Sequence, residues 1–193
     1  MKEVLSFGAL EMKLNNKWLL LVIGLLVAII FSAPSNLIAR SKWSRTRPKI
    51  NLTHIFEGEI NKRGRPVGFH ARPGGRDPKN AKVVKIISPP NKVGVYTAKV
   101  KIYDKKRHQW KQKFSSFFPD KMSRKEVIDT ILYAYKHRKH PKKQPWIGPS
   151  GKGFMIQGYL NKKGNINTAF PIYVKDKNYD TGRKKKKGFK FFY

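Results

Sequence analysis

Two histidines stand sixteen residues apart, in His54-Ile-Phe-Glu-Gly-Glu-Ile-Asn61 and in Gly68-Phe-His70. Both are set among glycines and apolar residues rather than in a run of charge. A pair of imidazoles is the simplest way to cut RNA without a metal. One ring takes the proton of a ribose 2′-hydroxyl and the other supplies a proton to the departing 5′-oxygen. The remaining histidines read differently. His108 lies in a polar turn, while His137 and His140 fall at the cationic end of a helical segment, where they suit the helix dipole. Glu57 and Glu59 could join His54 and His70 as metal ligands, but a carboxylate-poor chain is an awkward host for divalent cations. No metal or other cofactor is expected.

The charge supplies the substrate class. Lys and Arg number 43 against 11 Asp and Glu, a formal net charge of +32. Such a surface attracts phosphate backbones by counterion release, whatever the base sequence. There is no cysteine, which excludes disulfides and thiolate metal sites.

The first 39 residues read as a signal peptide or an uncleaved membrane anchor. Lys13 and Lys17 precede an apolar run from Trp18 to Phe31, then Ser32-Ala-Pro-Ser-Asn36. A run of that length fits an h-region better than a full span. Cleavage is expected near Ala33 or Ala39, and Met12 is an alternative start. The expected destination is therefore secreted or periplasmic, with transient membrane contact through this segment. Residues 1–39 hold three Lys and two Glu, so the rest of the chain keeps a formal charge of +31.

Residues 40–49 are basic and read as a linker to a domain over 50–180. Ile50 to Glu59 predicts a short helix or turn capped by Asn51 or Thr53. Lys62 to Pro78, rich in Gly, Arg and Pro, predicts a mobile loop that carries His70. Lys82 to Ser88 reads as a strand. Val93 to Asp104 alternates, with Tyr96, Ala98, Val100 and Ile102 on one face and Thr97, Lys99 and Lys101 on the other. Ser123-Arg-Lys-Glu126 is a capping box, and Val127, Ile128, Ile131, Leu132 and Tyr135 then form a helical stripe. Met155–Leu160 and Ile166–Val174 predict a hairpin around Asn161–Asn165. A basic aromatic tail occupies 181–193. The sum is an α+β domain, its sheet mainly antiparallel with the main helix packed on it.

Four stretches in this order carry a family resemblance: His54-Ile-Phe-Glu-Gly-Glu, Gly68-Phe-His70, Lys113-Phe-Ser-Ser-Phe-Phe-Pro119 and Asn167-Thr-Ala-Phe-Pro171. Over residues 50 to 175 the chain resembles the bacterial branch of the EndoU-type endoribonucleases. The resemblance implies an α+β fold and metal-independent cleavage of single-stranded RNA, often beside uridine, leaving a 2′,3′-cyclic phosphate. It also implies that His54 and His70 are the acid–base pair, without fixing which is which. By the same likeness, Thr168 matches a hydroxyl near the scissile phosphate or the base. Lys113 is the candidate cation for the pentavalent phosphorane, with Lys111 as its rival. Phe170 either stacks a base or sits in the core, and Ser115 and Ser116 are expected substrate contacts. Relatives of this kind are secreted enzymes or toxin domains, which makes RNA and an immunity protein the implied partners of a monomer. Two other readings stay open: a non-catalytic basic nucleic-acid-binding protein, and a membrane-active cationic protein.

Overall fold

A computed structural model describes residues 41–176; the expected export segment at 1–39 and the tail at 181–193 lie outside the described residues. The short helix α1 (Leu52–Phe56) leads into a ribbon of β1 (Glu59–Ile60) and β2 (Pro66–Val67). Two three-stranded sheets follow, each antiparallel with strands in sequence order. The first is β3 (Ala81–Ser88), β4 (Tyr96–Asp104) and β5 (Gln109–Phe117). The second is β6 (Trp146–Pro149), β7 (Met155–Leu160) and β8 (Ile166–Pro171). Between them runs α2 (Arg124–Lys136), packed on β6 and β7. The expected α+β class holds, but the strands divide into two sheets and a ribbon.

The strand alternation in β4 builds one core. Tyr96, Ala98, Val100 and Ile102 are buried and meet Phe69, Ala81 and Phe117. The stripe on α2 builds the other, where Val127, Ile131 and Ala134 pack with Trp146, Ile156 and Ile166. Each large side chain among these contributes roughly 1.5–3 kcal/mol on burial. Ser123 caps α2, accepting from the Glu126 backbone while the Glu126 carboxylate accepts from the Ser123 N–H. At the far end His137 is the C-cap, and His140 just beyond it is exposed.

Two expectations about irregular segments change. Residues 41–49 are not a linker but part of the folded body. Ser44 N–H donates to the Ile50 carbonyl (2.9 Å), and Ile50 N–H donates to Ser44 Oγ (2.7 Å). Ile166 N–H donates to the Lys49 carbonyl (2.9 Å), fastening the segment to β8. Its surface is basic because Ser44 and Ile50 are the residues turned inward, and that gave it the composition of a linker. Likewise, the loop carrying His70 is tied down. Phe69 N–H donates to the His54 carbonyl and His70 N–H to the Ile55 carbonyl, both at 2.7 Å. Among the described residues, no helix is long and apolar enough to cross a membrane.

Candidate active site

His54 belongs to α1. Asn51 caps that helix by accepting the His54 N–H at 3.1 Å, and its amide donates to Glu59 Oε1 at 3.2 Å. One buried asparagine thus fixes both His54 and the carboxylate it faces. His54 Nδ1 lies 3.1 Å from Glu59 Oε1, and Lys42 Nζ lies 2.8 Å from Glu59 Oε2. A carboxylate can only accept here, so Nδ1 bears the proton and Nε2 is the position left for chemistry. The His54 hydrogen bond, reinforced by Lys42 and opposed by partial burial, holds the Glu59 carboxyl down to about 2.

His70 is placed by a backbone turn that few residues tolerate. Gly68 has φ +77°, and a Cβ there would run into the His54 backbone oxygen. Phe69 follows with φ 63°, an uncommon conformation for a bulky residue. Its ring is fully buried and meets Phe117 edge-on at 5.1 Å, which offsets the backbone cost. The turn delivers the His70 ring to the free edge of β5. There Nδ1 lies 3.1 Å from the Ser116 carbonyl and 3.0 Å from Ser115 Oγ. A carbonyl accepts only, so His70 too carries its proton on Nδ1 and leaves Nε2 with a lone pair. Burial, then the charges of Lys113 and His54, push the His70 imidazole well below its ordinary range.

The two imidazoles come within 6.0 Å, centroid to centroid, with planes 33° apart. Phe170 stacks on His70 at 5.2 Å and 29°. It is half-buried against the histidine, neither deep core nor a free platform. Lys113 stands beneath this group: Nζ donates to the Gly68 carbonyl (3.0 Å) and Ser115 Oγ (3.1 Å), and burial pulls its pKa down to about 8. Lys111 instead pairs with Asp104 (2.9 Å) and the Gly64 carbonyl (2.8 Å). Thr168 shares a strand face with Phe170 and lies across from Tyr159; its hydroxyl is buried without a hydrogen-bond partner among the described residues.

Ser115 departs from expectation. It is 2% exposed and donates to the Phe69 carbonyl at 2.7 Å, so it supports His70 from below rather than meeting substrate. The alternation of β5 turns Ser115 and Phe117 inward together. Ser116 serves His70 through its backbone oxygen, and its side chain points to the opposite face. Sequence reasoning offers Glu59 only as a metal ligand, and Lys42 not at all. Glu59 follows His54 by five residues, close enough to signal a pairing; Lys42 carries no such signal. Among the described residues, no three His, Asp or Glu side chains converge as a metal site. A concavity of about 1180 Å³ nearby is lined by Glu59, Asn61, Arg63, Lys79 and Lys105 but by neither histidine. The paired imidazoles therefore define the candidate site and the concavity does not.

Two imidazoles and a lysine set against an aromatic, on a strongly cationic α+β body, can exchange protons beside a bound phosphate. The family model described as bacterial EndoU nuclease matches residues 49–173. The chain belongs to that family. It is 33% identical over 124 residues to a Bacillus cereus protein named Toxin. That match covers 62% of this chain and 22% of the Bacillus protein, so the chain spans under a quarter of that relative's length. No solved structure matches.

Proposed function

We propose that the chain cleaves single-stranded RNA by transphosphorylation, with His70 as general base and His54 as general acid. The observation that carries the reading is the 6.0 Å pairing of two rings whose Nδ1 atoms are both occupied, leaving both Nε2 atoms for chemistry. Neutral His70 Nε2 takes the 2′-hydroxyl proton as the 2′-oxygen bonds to phosphorus. The bond from phosphorus to the 5′-oxygen then breaks, and the His54 Nε2 proton passes to that oxygen. The products are a 2′,3′-cyclic phosphate and a 5′-hydroxyl. Glu59 balances the imidazolium form of His54, which His70, facing a carbonyl, a hydroxyl and a lysine, cannot match.

Lys113 spends two of its three ammonium hydrogens on the protein, which leaves one for a phosphate oxygen as charge grows there. The Thr168 hydroxyl is buried and unpaired, so it meets a phosphate oxygen or a base edge only when its side chain turns outward on binding. Phe170, already stacked on His70, extends the aromatic surface toward a neighbouring base. The family likeness supports a preference for cleavage beside uridine. The Bacillus relative named Toxin supports a toxin role. Export through residues 1–39, a monomeric state and an immunity protein guarding the producer belong to the same proposal, on the signal-like run at 18–31 and the charge of +32.

The test incubates the purified chain with end-labelled single-stranded RNA in EDTA, beside DNA of the same sequence. Fragments ending in cyclic phosphate, with DNA bound but intact, are expected because DNA lacks the nucleophile. RNA retarded but uncut would make the chain a binder only.

A further inference from the structure

The outward face of the β3–β4–β5 sheet has no part in the chemistry above, yet it is built against its own stability. Lys82 stands directly opposite Lys101, and Lys85 opposite Lys99, in the β3–β4 register. Like charges facing each other across strands are destabilising. None of the four forms an ion pair among the described residues. Across the β4–β5 register the same rows continue into Phe114 beside Lys99 and Gln112 beside Lys101, with Trp110 beside Tyr103 in the next row. Phe114 is 58% exposed, the most exposed aromatic of the described residues, and Trp110 is 39% exposed. Lys82 Nζ already lies 4.5 Å over the Trp110 ring.

Lysine rows alternating with exposed rings match the chemistry of single-stranded nucleic acid, whose phosphates take the ammonium groups and whose bases take the rings. The face also adjoins the site. The His70 ring is held at the free edge of β5 by the Ser116 carbonyl. Phe114 is two residues before Ser116 on the same strand, roughly 7 Å along the backbone, and its ring stands on the face opposite Ser115, so RNA passing over the edge of β5 meets both. We infer that this sheet face is a second RNA-binding site, which takes nucleotides flanking the cut, with Phe114 stacking a base and Lys82, Lys85, Lys99 and Lys101 holding phosphates. It rests on the reading of the paired histidines as the cleaving centre.

Two substrates and two variants test it in the full chain. Phe114→Ala removes the ring. Lys85→Gln with Lys99→Gln removes one facing charge pair and, by relieving repulsion, leaves the fold no weaker. Both act on a dinucleotide and on an oligoribonucleotide of about 20 nucleotides, which is long enough to reach the face. Expected for Phe114→Ala is unchanged dinucleotide turnover with about a tenfold rise in KM on the longer RNA, on the usual scale of one stacked base. In a His70→Ala background, which isolates binding from cleavage, affinity for the longer RNA should fall by the same factor. The double lysine variant should lower the salt slope of binding by about 1.4, near 0.7 for each single-strand phosphate that no longer meets an ammonium group.

Equal loss on both substrates, or no loss on the longer one, overturns the assignment. So does weakened binding to phosphatidylglycerol vesicles with RNA affinity intact, which would make the face a membrane contact. Failure of the unsubstituted chain to cut either substrate defeats the two-histidine reading alone, and the affinity measurements still decide this one.

Discussion

Replacing Glu59 by Gln isolates what the carboxylate does for His54. The Gln amide is nearly isosteric but accepts at its oxygen only: with that oxygen kept toward His54 and Asn51, its NH2 faces the Lys42 ammonium, so the Lys42 contact is lost together with the charge. The Glu59 carboxyl is held at about 2 against an ordinary 4.5, a difference of about 2.5. That corresponds to roughly 3 kcal/mol in favour of the ionised form. With the side chain 26% exposed, solvent screening lowers this to about 1–2 kcal/mol. The pH window follows from the sign. The folded pKa lies below the unfolded one, so this stability is present in full above about 4.5 and drains away as pH falls toward 2. Urea unfolding at pH 7 should therefore show Glu59→Gln less stable by about 1–2 kcal/mol, with the gap closing toward pH 2. On catalysis, losing the charge-assisted partner of the proposed acid should lower kcat about tenfold, near 1.4 kcal/mol, with KM little changed because Glu59 touches no substrate. Unaltered kcat in Glu59→Gln, or a stability gap persisting undiminished at pH 2, refutes the coupling.

His54→Ala and His70→Ala should each cost at least ~100-fold in kcat on short RNA, the usual scale of a general acid or base; near-full activity in both would falsify the pair. Lys113→Met should remove an alkaline limb of the rate profile near 8, where Lys113 loses its charge. Its folded pKa lies below the ordinary 10.5, so burial disfavours the cation, and the fold should gain stability as pH rises from about 8 toward 10.5. Lys113→Met, free of this penalty, should show no such rise in denaturant titrations. Gly68→Ala forces a methyl onto the His54 carbonyl at positive φ; a loss of about 1–3 kcal/mol in stability is expected, with activity falling as the two rings separate. A variant with native stability and full turnover would show that the turn is not what sets the ring spacing.

Much of this arrangement was legible in the chain. The β4 alternation, the Ser123 capping box and the hairpin around Asn161–Asn165 are local patterns, and all three form where the pattern puts them. β5 escaped because its apolar positions are interrupted: Lys111 and Lys113 face inward, satisfied by Asp104 and by the Gly68 and Ser115 oxygens, so no period of two in hydrophobicity is visible. β6 escaped because it is four residues long with one large buried ring, Trp146. The site follows the same division. His54 and His70 stood out by their surroundings. What orients them is set by tertiary pairing, with Lys42 reaching back from before α1 and Ser115 and Ser116 arriving from a strand some 45 residues later in sequence.

That division explains how two identical side chains come to differ. His54 faces a carboxylate that stays ionised through the whole range in which imidazoles titrate. His70, a few ångströms away, faces a peptide carbonyl and a hydroxyl that is already donating elsewhere, with a buried ammonium behind them. Charge on the second ring would find only Lys113 and the first ring, so the second ring stays neutral. Exchanging the partners, for example by Glu59→Gln with Ser115→Asp, should therefore move the acidic character from His54 to His70 if environment rather than position decides. The acid–base division of labour proposed for this chain then rests on the inward turn of Ser115 and on Asn51 holding Glu59. The first is a packing decision made on β5, far in sequence from either histidine motif, and the second is made at the helix cap three residues before His54.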